Sequence, residues 1–226
     1  MNKTKIEWTD YTWNPITGCH HGCPYCYARK KAENPFYKRA FPYGFEPHFY
    51  HERLNEPLKL KNPSKIFTVS MGDMFGDWVP KLWIDLIFDQ MKQSPNHTFQ
   101  ILTKNPGRIN KVVSGDMYSQ NIWLGTSVEG NGIENRIHEL KKVPQFHKFV
   151  SFEPLQGMIM SDLSGIEWVI IGAQTNPTKY PPSEAIQSVL YRAKDIPVFF
   201  KNNMKGCPGV TDRMFRQEFP TTSNET

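Results

Sequence analysis

No apolar run in this 226-residue sequence approaches the roughly 20 residues a membrane-spanning helix needs, so no membrane role is expected. The opening residues, MNKTKIEWTD, carry charge and no apolar stretch, which reads against a secretory signal and for a cytoplasmic protein. Cysteine is scarce, with four in the chain. That is too few for a disulfide scaffold, and the clustering of Cys19, Cys23 and Cys26 in one short stretch reads as metal ligation instead. Internal repeats and low-complexity linkers are missing. Net charge is small, +5, and its basic residues are scattered, which permits a nucleic-acid or nucleotide partner without establishing one.

What is present is a real core, 38% hydrophobic, arranged in short β-rich runs with helical stretches between. The runs are expected at residues 12–16, 66–71, 98–103, 122–128, 148–152, 167–172 and 197–201. Several are apolar at successive positions, as strands covered on both faces should be. Residues 79–93 predict a helix with Leu82, Trp83, Leu86, Ile87 and Met91 on one face and Pro80 in its first turn. Asn105-Pro106 predicts a cap opening a helix over 107–113, and Ile133, Ile137 and Leu140 form another stripe. Ser183 is expected to cap a helix burying Ile186, Val189, Leu190 and Ala193. About six strand–helix units predict an α/β fold, a partial or full parallel β/α barrel, with a doubly wound open sheet as the alternative. One domain is expected over 1–218, with a disordered tail over 219–226. Trp8 and Trp13 are expected to pack beneath the barrel.

Residues 34–63 interrupt the alternation. They hold seven of the aromatics (Phe36, Tyr37, Phe41, Tyr43, Phe45, Phe49 and Tyr50), interleaved with Lys38, Arg39, Arg53, Lys59 and Lys61. The excursion reads either as an aromatic-stapled lid with a small core or as a platform where bases stack and cations track phosphates. The first is favoured, because no ordered basic stripe is visible.

Gly18-Cys19-His20-His21-Gly22-Cys23-Pro24-Tyr25-Cys26 has the spacing C-x3-C-x2-C. Three thiolates on one tight loop suit three irons of a four-iron cubane, leaving the fourth open to a substrate. Gly18 and Gly22 allow close wrapping. A structural zinc site of three cysteines with His20 or His21 is the rival. Cys207 reads as a lone thiol. If it reached the cluster it would close the open iron and argue for electron transfer. Polar residues recur where strands end: Ser70 and Asp73, Thr103 and Lys104, Ser127 and Glu129, Ser151 and Glu153. Together they suggest the active face of a β/α fold, although such loops are polar anyway.

The cysteine loop, with Tyr25 as its aromatic, resembles the signature of the radical S-adenosylmethionine superfamily. A wider resemblance, over about residues 5–201, is to a phage- and prophage-associated family of three-cysteine proteins of unassigned function. It is carried by Lys5-Ile6-Glu7-Trp8-Thr9-Asp10, Thr12-Trp13-Asn14-Pro15, His51-Glu52-Arg53-Leu54, Ser70-Met71-Gly72-Asp73-Met74-Phe75, Phe99-Gln100-Ile101-Leu102-Thr103-Lys104, Trp123-Leu124-Gly125-Thr126-Ser127-Val128-Glu129 and Ser151-Phe152-Glu153-Pro154-Leu155. Members of that family often space the first two cysteines further apart. They also tend to carry Gly-Gly-Glu-Ser-Gly where this chain has Gly172-Ala173-Gln174-Thr175-Asn176, so a carboxylate is replaced by Gln174.

The resemblance implies a 4Fe-4S cluster on Cys19, Cys23 and Cys26 and S-adenosylmethionine cleaved to a 5′-deoxyadenosyl radical. It implies an external one-electron reductant of flavodoxin or ferredoxin type. It places Tyr25 near the adenine, Ser70 and Asp73 by the methionine ammonium, Ser127 and Glu129 by the ribose, and Lys104 and Glu153 toward a substrate. The phage association suggests a nucleic acid or nucleotide as that substrate. The rival functions are a zinc-stabilised nucleic-acid-binding module and a non-catalytic iron–sulfur interaction or electron-transfer protein.

Overall fold

Parallel strands joined by helical crossovers organise the computed structural model, which describes residues 1–130, 132–175 and 177–221. The chain divides into two compact units, Met1–Leu124 and Gly125–Thr226. The first contains β1 (Asn2–Lys3), β2 (Tyr11–Trp13), β3 (Ile16–Thr17), α1 (Tyr27–Ala32), β4 (His48–Phe49), β5 (Lys65–Thr68), α2 (Lys81–Lys92), β6 (Thr98–Thr103) and α3 (Ile109–Val112). β7 (Ile122–Ser127) runs through the boundary. The second unit continues with α4 (Asn135–Lys141), β8 (His147–Phe152), β9 (Trp168–Ile171), α5 (Ser183–Arg192) and β10 (Val198–Phe200).

In the first unit β2 pairs parallel with β5 and β5 with β6, while the short β1 pairs antiparallel with β2 at the edge. β3 and β4 form a separate antiparallel pair. In the second unit β8, β9 and β10 are all parallel neighbours. This is the mixed α/β, strand–helix architecture of a partial β/α barrel, as expected. The crossover from β8 to β9, residues 153–167, contains no helix.

Local chemistry explains where the elements depart from expectation. The run at 12–16 breaks at Asn14-Pro15 into β2 and β3, because proline has no N–H to give a ladder. The run at 66–71 stops at Thr68, because Val69 takes a positive φ of 59° and turns the chain out of the sheet. Its N–H still donates to the Trp13 carbonyl at 2.7 Å, so the turn is fastened to β2. Pro80 sits one residue before α2 rather than inside it, and the buried face is Ile84, Ile87, Phe88 and Met91. Leu82 points outward, 64% exposed, and Trp83 stacks on Phe49 at 5.2 Å. The helix expected over 107–113 is a 3₁₀ turn followed by the single turn of α3. Ser183 is the first residue of α5 rather than its cap, and its hydroxyl donates to the Pro208 carbonyl.

Trp8 and Trp13 are buried as expected. Trp13 donates its ring N–H to the Arg53 carbonyl at 2.7 Å. Within the second unit Trp168 packs against Phe149, Phe199 and Phe219. Phe219 thus opens the segment expected as a tail with a packed ring, and residues 222–226 of that segment lie outside the described residues.

Gly125 in β7 faces the Phe149 ring, and a β-carbon there would lie 2.4 Å from it. Overpacking of this kind costs about 1–3 kcal/mol. Gly125→Ala is therefore expected to lower the urea midpoint by that equivalent, with an unchanged m-value.

Candidate functional site: the three-cysteine loop

The loop is fixed at both ends before any side chain acts. Gly18 donates its N–H to the Met71 carbonyl at 2.9 Å and bridges Gly72, while Cys19 donates to the Phe45 carbonyl at 3.3 Å. Gly18 has φ +89°, and a β-carbon there would lie 2.3 Å from the Glu46 carbonyl carbon. Only glycine fits so close a backbone approach. Cys26 closes the loop by capping α1: its sulfur accepts the Arg29 N–H at 3.3 Å. The Cys19 sulfur accepts the His21 N–H at 3.5 Å. Behind the loop, Ala28, Ala32, Phe41, Phe45 and Met71 form a small core with Cys19 and Cys26 against it. The aromatic excursion therefore has a core of its own, into which Phe41 and Phe45 pack.

Four cysteines are thiols in this structure, with none in a disulfide. Burial pushes the Cys19 thiol up to about 12. The His21 N–H opposes that shift, and the nearby negative charges of Asp73, Cys23 and Cys26 reinforce it. The three sulfurs thus share one electrostatic neighbourhood, and the donor set suits a group that supplies positive charge to all three. Among the described residues no three His, Cys, Asp or Glu side chains are gathered about a single ion's position. A cubane asks for something different, one thiolate for each of three irons. Three soft donors on one loop with N–H···S contacts fit that demand.

Beside the loop lies Asp73, 4% exposed. It accepts from His21 Nε2 at 2.7 Å, the Thr103 hydroxyl at 2.6 Å, the Lys104 N–H at 2.9 Å and the Phe75 N–H at 3.0 Å. Burial disfavours its charge, yet hydrogen bonds from His21, Thr103 and Lys104 outweigh this and hold its carboxyl below the usual range. Four donors occupy the roughly four lone-pair positions a carboxylate has. To meet an ammonium, Asp73 would have to release one of them. Lys104 donates its ammonium to the Tyr25 hydroxyl at 3.2 Å and lies 5.5 Å from that ring. Ser70 donates to Asn14 Oδ1 and accepts the Tyr27 hydroxyl on its carbonyl at 2.6 Å.

The strand ends of the second unit form their own arrangement. Arg136 donates to the Ser127 carbonyl at 2.9 Å and to Glu129 at 3.0 Å. Glu153 pairs with Lys201, and Gly172 leaves room for both, since a β-carbon there would lie 3.0 Å from Lys201 and 3.1 Å from Glu153. The Ser151 hydroxyl is buried with no hydrogen-bond partner among the described residues. Gln174 accepts from Gln156 at 3.4 Å, and Asn176 lies outside the described residues. Cys207 is buried in this unit with its thiol on the Pro208 carbonyl.

Sequence reasoning missed four participants. Arg29 clamps the loop, donating to the Cys19 carbonyl at 3.2 Å and lying 4.9 Å from the Phe45 ring. Its place three residues after Cys26 was the available signal. Trp78 receives both His20 and His21 edge-on, at 5.1 and 5.0 Å. Lys201 and Arg136 are the partners of two carboxylates that were singled out alone.

The fold and loop together define an α/β protein whose first unit carries a three-thiol site on a glycine-framed loop. The chain belongs to the family described as "Protein of unknown function (DUF5131)", whose profile matches residues 3–211. No curated protein matches it. A solved structure with some likeness is "Spore photoproduct lyase complexed with dinucleoside spore photoproduct", at 9% identity and a TM-score of 0.49. That match covers 86% of this chain, and the chain spans 64% of the other protein. No helix among the described residues is long and apolar enough to cross a membrane.

Asp73→Ala removes the buried acceptor shared by His21 Nε2, the Thr103 hydroxyl and the Lys104 and Phe75 N–H groups. Breaking a buried charged network costs about 3–5 kcal/mol. Chemical denaturation of Asp73→Ala is expected to show a loss of that size, and Asp73→Asn a smaller one because it keeps one acceptor oxygen.

Proposed function

We propose that this chain is a radical S-adenosylmethionine enzyme that holds a 4Fe-4S cluster on Cys19, Cys23 and Cys26. The observation that carries the reading is the loop itself. Its superfamily spacing is framed by Gly18, capped by Cys26 and supplied with N–H donors to Cys19 and Cys26. When bound and reduced, the cluster would supply the electron that cleaves S-adenosylmethionine to methionine and a carbon radical able to take a hydrogen from a substrate. The chain's own residues bind and orient. Lys104, steadied by Tyr25, offers a cation to a carboxylate, and Asp73 fixes the backbone that presents it. Phe41, Phe45 and Met71 wall the loop from water on one side. The ribose assignment for Ser127 and Glu129 and the substrate assignment for Glu153 rest on the superfamily resemblance. In this structure those carboxylates are held by Arg136 and Lys201.

The electron would come from a flavodoxin- or ferredoxin-type partner in the reducing cytoplasm, where free thiols persist. A nucleic acid or nucleotide is the substrate class we favour. Tyr37 and Tyr43 are exposed on the excursion, Tyr43 with one face already stacked on His48 at 3.9 Å. The zinc reading needs a histidine from the loop, but His21 gives its Nε2 to Asp73 and His20 lies edge-on to Trp78.

Anaerobically prepared protein is expected to be brown, with about four irons and four sulfides per chain. Cys19→Ala, Cys23→Ala and Cys26→Ala should each abolish that content, and Cys207→Ala should retain it. Stoichiometric zinc without iron would defeat the proposal. A stable cluster with no 5′-deoxyadenosine formed under reduction would leave an electron-transfer protein.

A further inference from the structure

The first unit contains a concavity of about 590 Å³, bounded by the β1–β2 edge, α1, the inner side of the excursion and the turn after β5. Neither the three cysteines nor Asp73, Lys104 and Tyr25 are among the residues that line it. Its volume falls within the roughly 300–1,000 Å³ typical of small-molecule sites. Its charge is one-sided: the lining holds Lys3, Lys5, Lys31 and Arg53 against a single carboxylate, Glu56, which pairs with the Met1 amino group.

Arg53 is held ready. Its guanidinium lies 3.6 Å over the Tyr50 ring and donates one N–H to the Asn14 carbonyl at 3.1 Å. Asn14 is in turn fixed, its Oδ1 accepting from the Ser70 hydroxyl and the Met71 N–H. A guanidinium has five donors in a planar fork, so most remain for a ligand, and a cation stacked and anchored in this way loses little freedom on binding. The opposite character is also present in the lining. Phe41 and Met71 are buried apolar side chains, and the half-exposed Tyr27 ring is pinned by its hydroxyl to the Ser70 carbonyl. An anchored fork among lysines suits a phosphate, and a fixed aromatic face with apolar neighbours suits a base.

We infer that this cavity binds a nucleoside phosphate, with the phosphate on Arg53, Lys3 and Lys5 and the base against Tyr27, Phe41 and Met71. The inference stands apart from the radical chemistry and does not need the cluster. The shared chemistry admits a free mononucleotide or the phosphorylated end of a single strand.

Isothermal titration calorimetry of the intact protein at low salt tests this with uridine 5′-monophosphate, uridine, inorganic phosphate and a 5′-phosphorylated single-stranded decamer. Uridine 5′-monophosphate is expected to bind, with uridine and phosphate each weaker by about ten-fold or more. Lys5→Glu and Arg53→Gln should each weaken it by about ten- to a hundred-fold, the loss expected for one charge-assisted contact. Lys5 is exposed, so Lys5→Glu should keep its fold and its iron content, which separates this outcome from any failure of the cluster assignment. A decamer binding about ten-fold more tightly than the mononucleotide assigns the cavity to a strand end; equal affinity assigns it to the free nucleotide. Absence of mononucleotide binding at millimolar concentration overturns the inference. So does binding unchanged in both variants, or inorganic phosphate binding as tightly as the nucleotide.

Discussion

The carboxylate of Asp73 is the constraint on which the first unit's site depends. A buried charge is tolerable only when its oxygens are satisfied, and here one carboxylate gathers donors from three places in the chain. His21 comes from the cysteine loop, Thr103 and Lys104 from the end of β6, and Phe75 from Asp73's own turn. The consequence is positional. The loop that carries the thiols is tied to a strand end rather than hanging from its own two glycines, and the Lys104 side chain starts from a backbone that Asp73 has fixed.

A second layer of order follows from backbone geometry rather than charge. Val69 leaves β5 with a positive φ, and the chain turns so that the Met71 carbonyl meets Gly18 while the Met71 N–H meets Asn14. This one turn therefore serves two places, the cysteine loop on one side and the Arg53-bearing cavity on the other. The excursion completes both. Phe41 and Phe45 enter the small core beneath the thiols, while Phe41 also faces the cavity.

The parallel strands were legible because their apolar residues run on without polar alternation, as Trp168–Ile171 does, and because proline and glycine punctuate them. The cysteine loop was legible because spacing is a one-dimensional property. Other features are relations between distant residues. The face of α2 was misplaced because Leu82, Trp83 and Leu86 satisfy the helical period as well as Ile84, Ile87 and Phe88 do, and only the neighbouring strands choose between them. Asp73 was visible as a polar residue after a strand, but its four donors lie up to 52 positions away. Lys201 went unnoticed for the same reason, since its ion pair with Glu153 joins two strand ends 48 positions apart, whereas Arg136 reaches Glu129 from α4 only seven positions on. The shift of Pro80 and Ser183 by one position reflects how loosely sequence fixes a helix's first residue.

Cys26 has two occupations, since it is both the last thiol of the loop and the cap of α1. The helix has only six residues, too short to persist on its own hydrogen bonds, and Ala28 and Ala32 on it supply part of the core under the excursion. Chemical damage to that sulfur would thus travel. An oxidised Cys26, converted to an acid and drawn toward water, would uncap the helix, loosen the alanines and unseat Phe41 and Phe45. Oxygen exposure at a single atom would then register as proteolytic sensitivity across residues 27–45, a readout that needs neither colour nor metal.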